Sequence, residues 1–327
     1  MPEPGVQDGQ NAGHREAHSP GGDAHLKGLA MVAGAHSVFG SMGFFYKIAL
    51  AGGATTLTIL PLRFLLATLP IWGIVLVSGR RARLPLQRVL GLVAMGGGCY
   101  VGQSYLFLAA LEFIPLSTAT LILLIYPALV MTVALALGRE RATAARLAAL
   151  GLSLLGAVLV VGGPGAEIHL GGALLAFGSA VVYATYLLVG DRVLRGIDPL
   201  VGSGYITSSA AVGFIILAVG FGAFTTQITL NAWLAILVVA WFCTVLGVTG
   251  LLAGLSMVGP SAASIVGMLE PFVAVTLGVV VLGEQLSPAM VAGGVAIAGA
   301  VILLRKPSAP VLAPQPRIAK REPVGPL

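Results

Sequence analysis

The sequence from Gly259 to Leu304, GPSAASIVGMLEPFVAVTLGVVVLGEQLSPAMVAGGVAIAGAVILL, consists of two apolar runs joined by a short acidic turn. Glu270 lies inside the first run, and a helical rise of about 1.5 Å per residue places it roughly 16 Å deep in a bilayer core of about 30 Å. An ionisable side chain at that depth is costly and marks a candidate functional site. Pro271 follows it and displaces the carbonyl of Gly267, so the sequence predicts a kink with a free backbone group.

The same pattern occurs earlier in the chain. Residues 116–160, LSTATLILLIYPALVMTVALALGRERATAARLAALGLSLLGAVLV, align without a gap with residues 260–304, at a constant offset of 144 residues. At this offset Pro127 falls on Pro271, and Tyr126 falls on Glu270. We therefore interpret the chain as two copies of one unit.

The composition is that of a polytopic membrane protein. Of 327 residues, 57% are hydrophobic and 9% are charged, whereas soluble proteins contain about 25% charged residues. The net charge of +6 could indicate nucleic-acid binding, but the basic residues lie in short loops between apolar runs, so we expect a lipid bilayer and no nucleic acid as partner. The two cysteines lie inside apolar runs and indicate neither a disulfide framework nor a metal site.

Ten apolar runs have about the length of membrane-spanning helices. The first five cover residues 28–50, 55–78, 89–110, 116–137 and 145–162, and the second five cover 171–190, 199–223, 231–254, 260–282 and 288–304. We therefore predict an all-α membrane protein with two five-helix repeats, residues 28–162 and 171–304. A disordered cytoplasmic tail, residues 1–27, would precede them, and a basic cytoplasmic tail, residues 305–327, would follow.

The basic residues lie on alternate loops. The loops at 51–54, 111–115, 163–170, 224–230 and 283–287 contain no Lys or Arg, whereas arginines occur in the loops at 79–88, 138–144 and 191–198 and in the carboxyl-terminal tail. This positive-inside pattern predicts a multi-pass protein of the cell (plasma or inner) membrane with both termini in the cytoplasm. Because five is an odd number, the second repeat would enter the membrane from the opposite side. Inverted repeats of this kind are typical of alternating-access carriers.

Three polar side chains at midplane depth are candidates for a substrate site. Glu270 could also exchange a proton, which makes it a candidate for proton coupling. His36 lies in the first apolar run, followed by small residues that would let a ligand approach. Tyr126 is the repeat counterpart of Glu270. Each has a structural alternative, in which the side chain only hydrogen bonds to a neighbouring helix.

Five further side chains inside apolar runs carry polar or charged groups. Tyr100 and Gln103 lie on one face of the third run, where a polar stripe indicates a cavity wall, and packing through nearby glycines is the alternative. Trp241 lies about ten residues into the eighth run, beyond the interface that tryptophan prefers, and could be cavity wall or ordinary core. Lys47 and Arg63 lie nearer the ends of their runs, which predicts snorkelling anchors.

No enzyme motif is present in the sequence. Gly202-Ser203-Gly204 lacks the flanking context of a nucleophile elbow, and neither a phosphate-binding loop with lysine nor an HExxH motif occurs. The tail histidines His14, His18 and His25 are irregularly spaced. We predict a protein that is not an enzyme and holds neither a cofactor nor a metal.

Several short motifs occur in a characteristic order: Tyr46-Lys47, LRFLL at residues 62–66, YLFLAALEFIPLSTA at 105–119, Leu269-Glu270-Pro271, and LGEQLS at 282–287. Through them, residues 28–304 resemble the EamA family of ten-span permeases in the drug/metabolite transporter superfamily. The chain departs from that family at Gly138-Arg139-Glu140, where Gly-Glu is more usual. The resemblance implies two inverted five-helix repeats around a central cavity, with the last helix of each repeat packed outside it.

The resemblance also implies the export of small metabolites such as amino acids. Specificity would then lie in cavity residues outside the shared motifs: His36, Tyr100, Gln103, Tyr183 and Trp241. We predict a secondary active transporter for zwitterionic or cationic solutes, monomeric or homodimeric, that could be coupled to protons. A passive channel and a non-transporting membrane scaffold are the alternatives.

Overall fold

The computed structural model describes residues 20–114, 116–138, 142–161, 169–222, 224–282 and 288–304. These residues form helices joined by short turns, and no strand occurs among them. The first half contains α1 (Pro20–Ala51), α2 (Thr56–Val77), α3 (Leu86–Ala110), α4a (Leu116–Leu123), α4b (Tyr126–Ala136) and α5 (Ala144–Val161). The second half contains α6 (Leu170–Val193), α7 (Pro199–Gly220), α8 (Leu230–Val258), α9a (Pro260–Val266), α9b (Leu269–Leu282) and α10 (Pro288–Leu303).

The lengths of the helices are those of a membrane protein. Six helices of the described residues are long and apolar enough to cross a bilayer, namely α1, α2, α3, α6, α7 and α8. The helices α4b, α5, α9 and α10 are apolar but shorter. The predicted all-helical, membrane-embedded fold class is therefore confirmed.

The first helix begins earlier than the sequence predicts. We expected it to start at Gly28, but α1 starts at Pro20, so residues 20–27 are helical. Proline suits the first position of a helix, and Asp23 adds a favourable negative charge in the first turn. His25 Nε2 lies 2.9 Å from the carbonyl oxygen of Leu304, which places the start of α1 beside the end of α10. Residues 1–19 and 305–327 lie outside the described residues.

Two backbone irregularities occur at matching positions of the two halves. A π-helical segment spans Ala94–Tyr100 in α3, and another spans Val239–Leu246 in α8. A turn separates α4a from α4b just before Pro127, and a turn separates α9a from α9b just before Pro271. Because proline cannot continue a helix by donating to the preceding turn, it starts a new one. The backbone thus shows the duplication that the sequence predicts.

The packing between the two halves is also paired. α1 packs against α8 and α9b, and its counterpart α6 packs against α3 and α4b. Three further contacts join the two halves: α2 with its counterpart α7, α5 with its counterpart α10, and α4b with α9a. The two halves are therefore related by an approximate two-fold pattern of contacts. Residues of α1, α4b, α6 and α9 meet near the centre of this arrangement.

Candidate functional site

The centre of the candidate site is a pair of ionisable side chains from α1 and α9b. His36 Nδ1 lies 3.1 Å from Glu270 Oε2. His36 is only 1% exposed, whereas 42% of the Glu270 side chain remains accessible. Gly40 permits this contact, because a Cβ at that position would lie 2.5 Å from the carbonyl oxygen of Glu270. An imidazole and a carboxyl group at this distance can share, hold or release a proton.

The break in α9 frees a backbone carbonyl close to this pair. Met268 N–H donates to the carbonyl of Ile265 at 3.2 Å and not to that of Ser264, its partner in a continuous helix. Tyr126, from α4b in the other half, donates its hydroxyl to the Ser264 oxygen at 3.1 Å. Tyr126 is 4% exposed. The two interrupted helices are therefore joined by a buried hydrogen bond.

Gly267 lies where these side chains converge. A Cβ there would overlap the hydroxyl of Tyr126 and would lie 3.0 Å from His36 Cε1. The sequence predicted a free carbonyl at Gly267, but this oxygen accepts the N–H of Glu270 at 3.0 Å, so that prediction is wrong. The physical reason is that a tight turn with i to i+3 hydrogen bonds replaces the kinked helix and moves the free group to Ser264.

A row of tyrosines extends from the central pair toward α3. Tyr126 meets Tyr183 edge-on at a centroid distance of 4.7 Å, and Tyr183 stacks on Tyr186 at 6.1 Å. Tyr186 then meets Tyr100 edge-on at 6.1 Å. Aromatic faces attract cations, and tyrosine hydroxyls add hydrogen-bonding groups. Three predicted site residues, Tyr100, Tyr126 and Tyr183, therefore lie in one continuous row with Tyr186, which no sequence pattern had indicated.

Arg63 lies at the far end of this row. Its side chain is buried, with 3% exposure. Its Nε donates to Thr244 Oγ1 at 2.7 Å, and its Nη2 donates to the hydroxyl of Tyr100 at 3.2 Å. The prediction that Arg63 is an interfacial anchor is wrong, because hydroxyl groups of α3 and α8 hold its guanidinium inside the protein. Lys47, predicted to be an anchor as well, is exposed.

Two predicted site residues lie away from the central pair. Gln103 Nε2 donates to Ser179 Oγ at 3.1 Å, and Ser179 Oγ donates to the backbone carbonyl of Gln103 at 3.0 Å. These two hydrogen bonds join α3 to α6. Trp241 is 56% exposed. Its indole N–H donates to the carbonyl of Leu66 in α2 at 3.2 Å. The structure does not bring either side chain to the His36–Glu270 pair.

A recess elsewhere on the described surface differs in chemistry from the central pair. A recess between α2 and α7 is lined only by apolar residues: Pro61, Leu62, Leu65, Ile215, Ala218, Val219 and Phe224. Within the described ranges, no group of three or more His, Cys, Asp or Glu residues is arranged to hold a metal ion. The central pair and the tyrosine row therefore form the candidate site.

Comparisons with known proteins give two findings on family and fold. The model of the EamA-like transporter family matches residues 26–162 and, a second time, residues 170–306. One solved structure, described as a crystal structure of a protein, superposes with a TM-score of 0.73 at 18% sequence identity, covering 86% of this chain and 96% of that chain. At this identity the similarity shows a shared fold alone. A search of curated proteins gives no match.

Proposed function

This chain belongs to the EamA-like transporter family, and we propose that it is a secondary active transporter that exports small metabolites by alternating access. The solutes are amino acids or related zwitterionic or cationic compounds. The observation that carries this proposal is the His36–Glu270 pair, which lies between helices of the two halves with the carboxyl group partly accessible.

The proposal includes ten membrane spans in two inverted five-helix repeats, with both termini in the cytoplasm of a cell (plasma or inner) membrane. The alternation of arginine-containing and arginine-free loops supports this orientation. The hydrogen bond between His25 and the Leu304 carbonyl supports a common side for the two chain ends. Interrupted helices near the middle of the membrane are typical of carriers of this kind.

In this mechanism Glu270 binds either a proton or the amino group of the solute. The titratable groups that face it are His36 from α1, Tyr126 from α4b and Tyr183 from α6. His36 orients the carboxyl group through Nδ1, and the aromatic faces of the tyrosines complete a site for a cation. Because one carboxylate cannot hold both cations, binding of the solute releases the proton, which couples the two fluxes.

The contact between Tyr126 and Ser264 is suited to a carrier that must open. It is one of several hydrogen bonds between the two halves, and its net contribution is about 1 kcal/mol. Breaking it on one side of the site would let α4 and α9 separate without disrupting either helix. This contact therefore adds little to the cost of opening compared with global unfolding.

The test is transport by the purified protein in liposomes. Radiolabelled amino acids and amines are supplied with and without a pH gradient, and the wild type should show saturable flux and counterflow that respond to the gradient. Glu270→Gln should abolish the response to pH. The matched control is Glu112→Gln, which removes a carboxylate from an exposed loop position and should behave as wild type.

Three outcomes would contradict the proposal. Flux without saturation or counterflow would indicate a passive channel, and no flux of any probe would favour a membrane scaffold. Unchanged pH dependence in Glu270→Gln would remove the proton-coupling role from this residue.

A further inference from the structure

Arg63 is a buried positive charge with no negative partner among the described residues. It forms no ion pair with any of the described residues, whereas the carboxylates of Glu270, Asp198 and Asp191 pair with His36, Arg80 and Arg195. The groups that surround Arg63 are the hydroxyls of Thr244, Tyr100 and Tyr46, the thiol of Cys243 and the ring of Phe64, whose centroid is 4.8 Å from its Cζ. An uncompensated buried charge is strongly unfavourable. A purely structural role would be served equally well by a neutral donor.

The guanidinium of Arg63 also has more N–H donors than the neighbouring side chains have hydroxyl groups. It carries five N–H bonds, and its neighbours offer three hydroxyl groups, those of Thr244, Tyr100 and Tyr46. Within the described ranges, Thr249 Oγ1 and Ser261 Oγ are the side-chain polar atoms that are fully buried and have no hydrogen-bond partner. Each nitrogen of Arg63 is therefore either hydrogen bonded or accessible. An acceptor that reached the N–H bonds left unused by the three hydroxyl groups would complete the hydrogen bonding of the guanidinium.

The surroundings of Arg63 favour a particular class of anion. The Phe64 ring stacks on Phe214 at 5.4 Å and meets Tyr100 edge-on at 4.9 Å, so the charge is bordered by aromatic side chains. A single guanidinium matches the single charge and planar shape of a carboxylate. A phosphate dianion would leave one charge uncompensated in this apolar region. The chemistry therefore selects a monocarboxylate with an apolar or aromatic body.

This position is distinct from the Glu270 position. Ser41 Oγ lies 3.7 Å from Cys243 Sγ, next to the Thr244 that binds Arg63. Five residues of α1 separate Ser41 from His36, a rise of about 8 Å. The amino and carboxylate groups of an α-amino acid are too close together to reach both levels. Arg63 would therefore hold the solute at a second position along the tyrosine row.

We infer that Arg63, with Tyr100 and Thr244, forms a carboxylate-binding position for the transported solute, separate from the position at Glu270. This inference rests on the proposed function, because it assumes that the solute passes along the tyrosine row. It narrows the substrate class to compounds that carry a carboxylate, in addition to any amino group that Glu270 binds.

The test measures binding and not flux, so it can fail or succeed independently of the transport assay. The full-length protein in nanodiscs is titrated with 3-phenylpropanoate, its neutral amide 3-phenylpropanamide, and phenethylamine. The wild type should bind the carboxylate at least about tenfold more tightly than the amide. Arg63→Gln should weaken carboxylate binding by about tenfold or more and leave phenethylamine binding unchanged.

Two further variants separate the specific contact from a change in charge. Arg63→Lys keeps the positive charge but loses the planar fork, so its affinity for the carboxylate should be intermediate. Arg83→Gln removes one positive charge from an exposed loop and should bind all three probes as the wild type does.

The wild-type comparison keeps the inference testable even if Arg63→Gln does not fold. Equal affinity of the wild type for the carboxylate and the amide would overturn it, and so would the absence of measurable carboxylate binding. A merely structural Arg63 would lower the melting temperature when replaced, without any preference of the wild type for the carboxylate.

Discussion

Replacing Gly267 with alanine should disrupt the candidate site by steric overlap alone. The backbone of Gly267 has φ −56° and ψ −22°, which alanine adopts without strain. The added methyl group, however, would overlap the hydroxyl of Tyr126 and lie 3.0 and 3.1 Å from two atoms of the His36 ring. One or both side chains must therefore move away from α9.

The magnitude follows from three contributions. Overpacking a tight site costs about 1–3 kcal/mol. Displacement of the Tyr126 hydroxyl leaves the Ser264 carbonyl without its partner, at a cost of about 1–3 kcal/mol. Alanine in place of glycine recovers up to about 1 kcal/mol of backbone entropy. We therefore expect Gly267→Ala to reduce the free energy of unfolding by about 3 kcal/mol, within bounds of about 1–6 kcal/mol.

The assay is reversible unfolding in mixed micelles, with Gly34→Ala as the matched control. Gly34 lies in α1 two residues before His36, and a Cβ there would meet nothing within 4 Å. This control should be as stable as the wild type or slightly more stable. In the Gly267→Ala background, the further change Tyr126→Phe removes the overlapping oxygen, so the double variant should lose less stability than the two single variants together. Equal stability of Gly267→Ala and Gly34→Ala, or simple additivity in the double variant, would refute the reasoning.

Three further predictions concern individual contacts. Tyr126→Phe should lower the free energy of unfolding by about 1–3 kcal/mol, because it leaves the Ser264 carbonyl unpaired. The Tyr183 hydroxyl hydrogen bonds to none of the described residues, so Tyr183→Phe should have a smaller effect in the same unfolding assay. Gly156→Ala should destabilise the packing of α5 on α10, since its Cβ would lie 2.7 Å from the Gly293 carbonyl, but liposome transport by the folded fraction should keep its pH dependence. Trp241→Phe should leave solute affinity in equilibrium binding unchanged within about twofold, because the exposed indole contacts Leu66 and not the central pair.

The sequence was sufficient to predict the repeat and its central residues. Pro127 and Pro271 mark the interruptions of two helices, and the residues before them, Tyr126 and Glu270, lie at the centre of the candidate site. These predictions depend on local rules, namely the missing N–H of proline and the cost of a charge inside an apolar run. Such rules operate within one helix and can be read along the chain.

The contacts of Arg63 and Trp241 could not be predicted in this way. Arg63 lies inside an apolar run, and a snorkelling path to the interface and a buried partner are equally compatible with that position. The hydrogen bond to Thr244, which is 181 residues away in the sequence, holds the guanidinium inside the protein. Likewise, only the packing of α8 on α2 determines that the indole of Trp241 donates to Leu66. The start of α1 was missed because residues 20–27 contain only one large apolar side chain, Leu26, and therefore do not form an apolar run.

The repeat positions of the central pair are chemically unequal, and this difference has a thermodynamic consequence. At the offset of 144, His36 corresponds to Ala180 and Glu270 corresponds to Tyr126, so one position between the two halves holds an ionisable pair and the repeat-related position holds neutral groups. A fully symmetrical carrier would populate its inward-open and outward-open forms equally. In the proposed carrier the free energies of the two forms would therefore differ, and the protonation of a single carboxyl group would shift the resting population from one side of the membrane to the other.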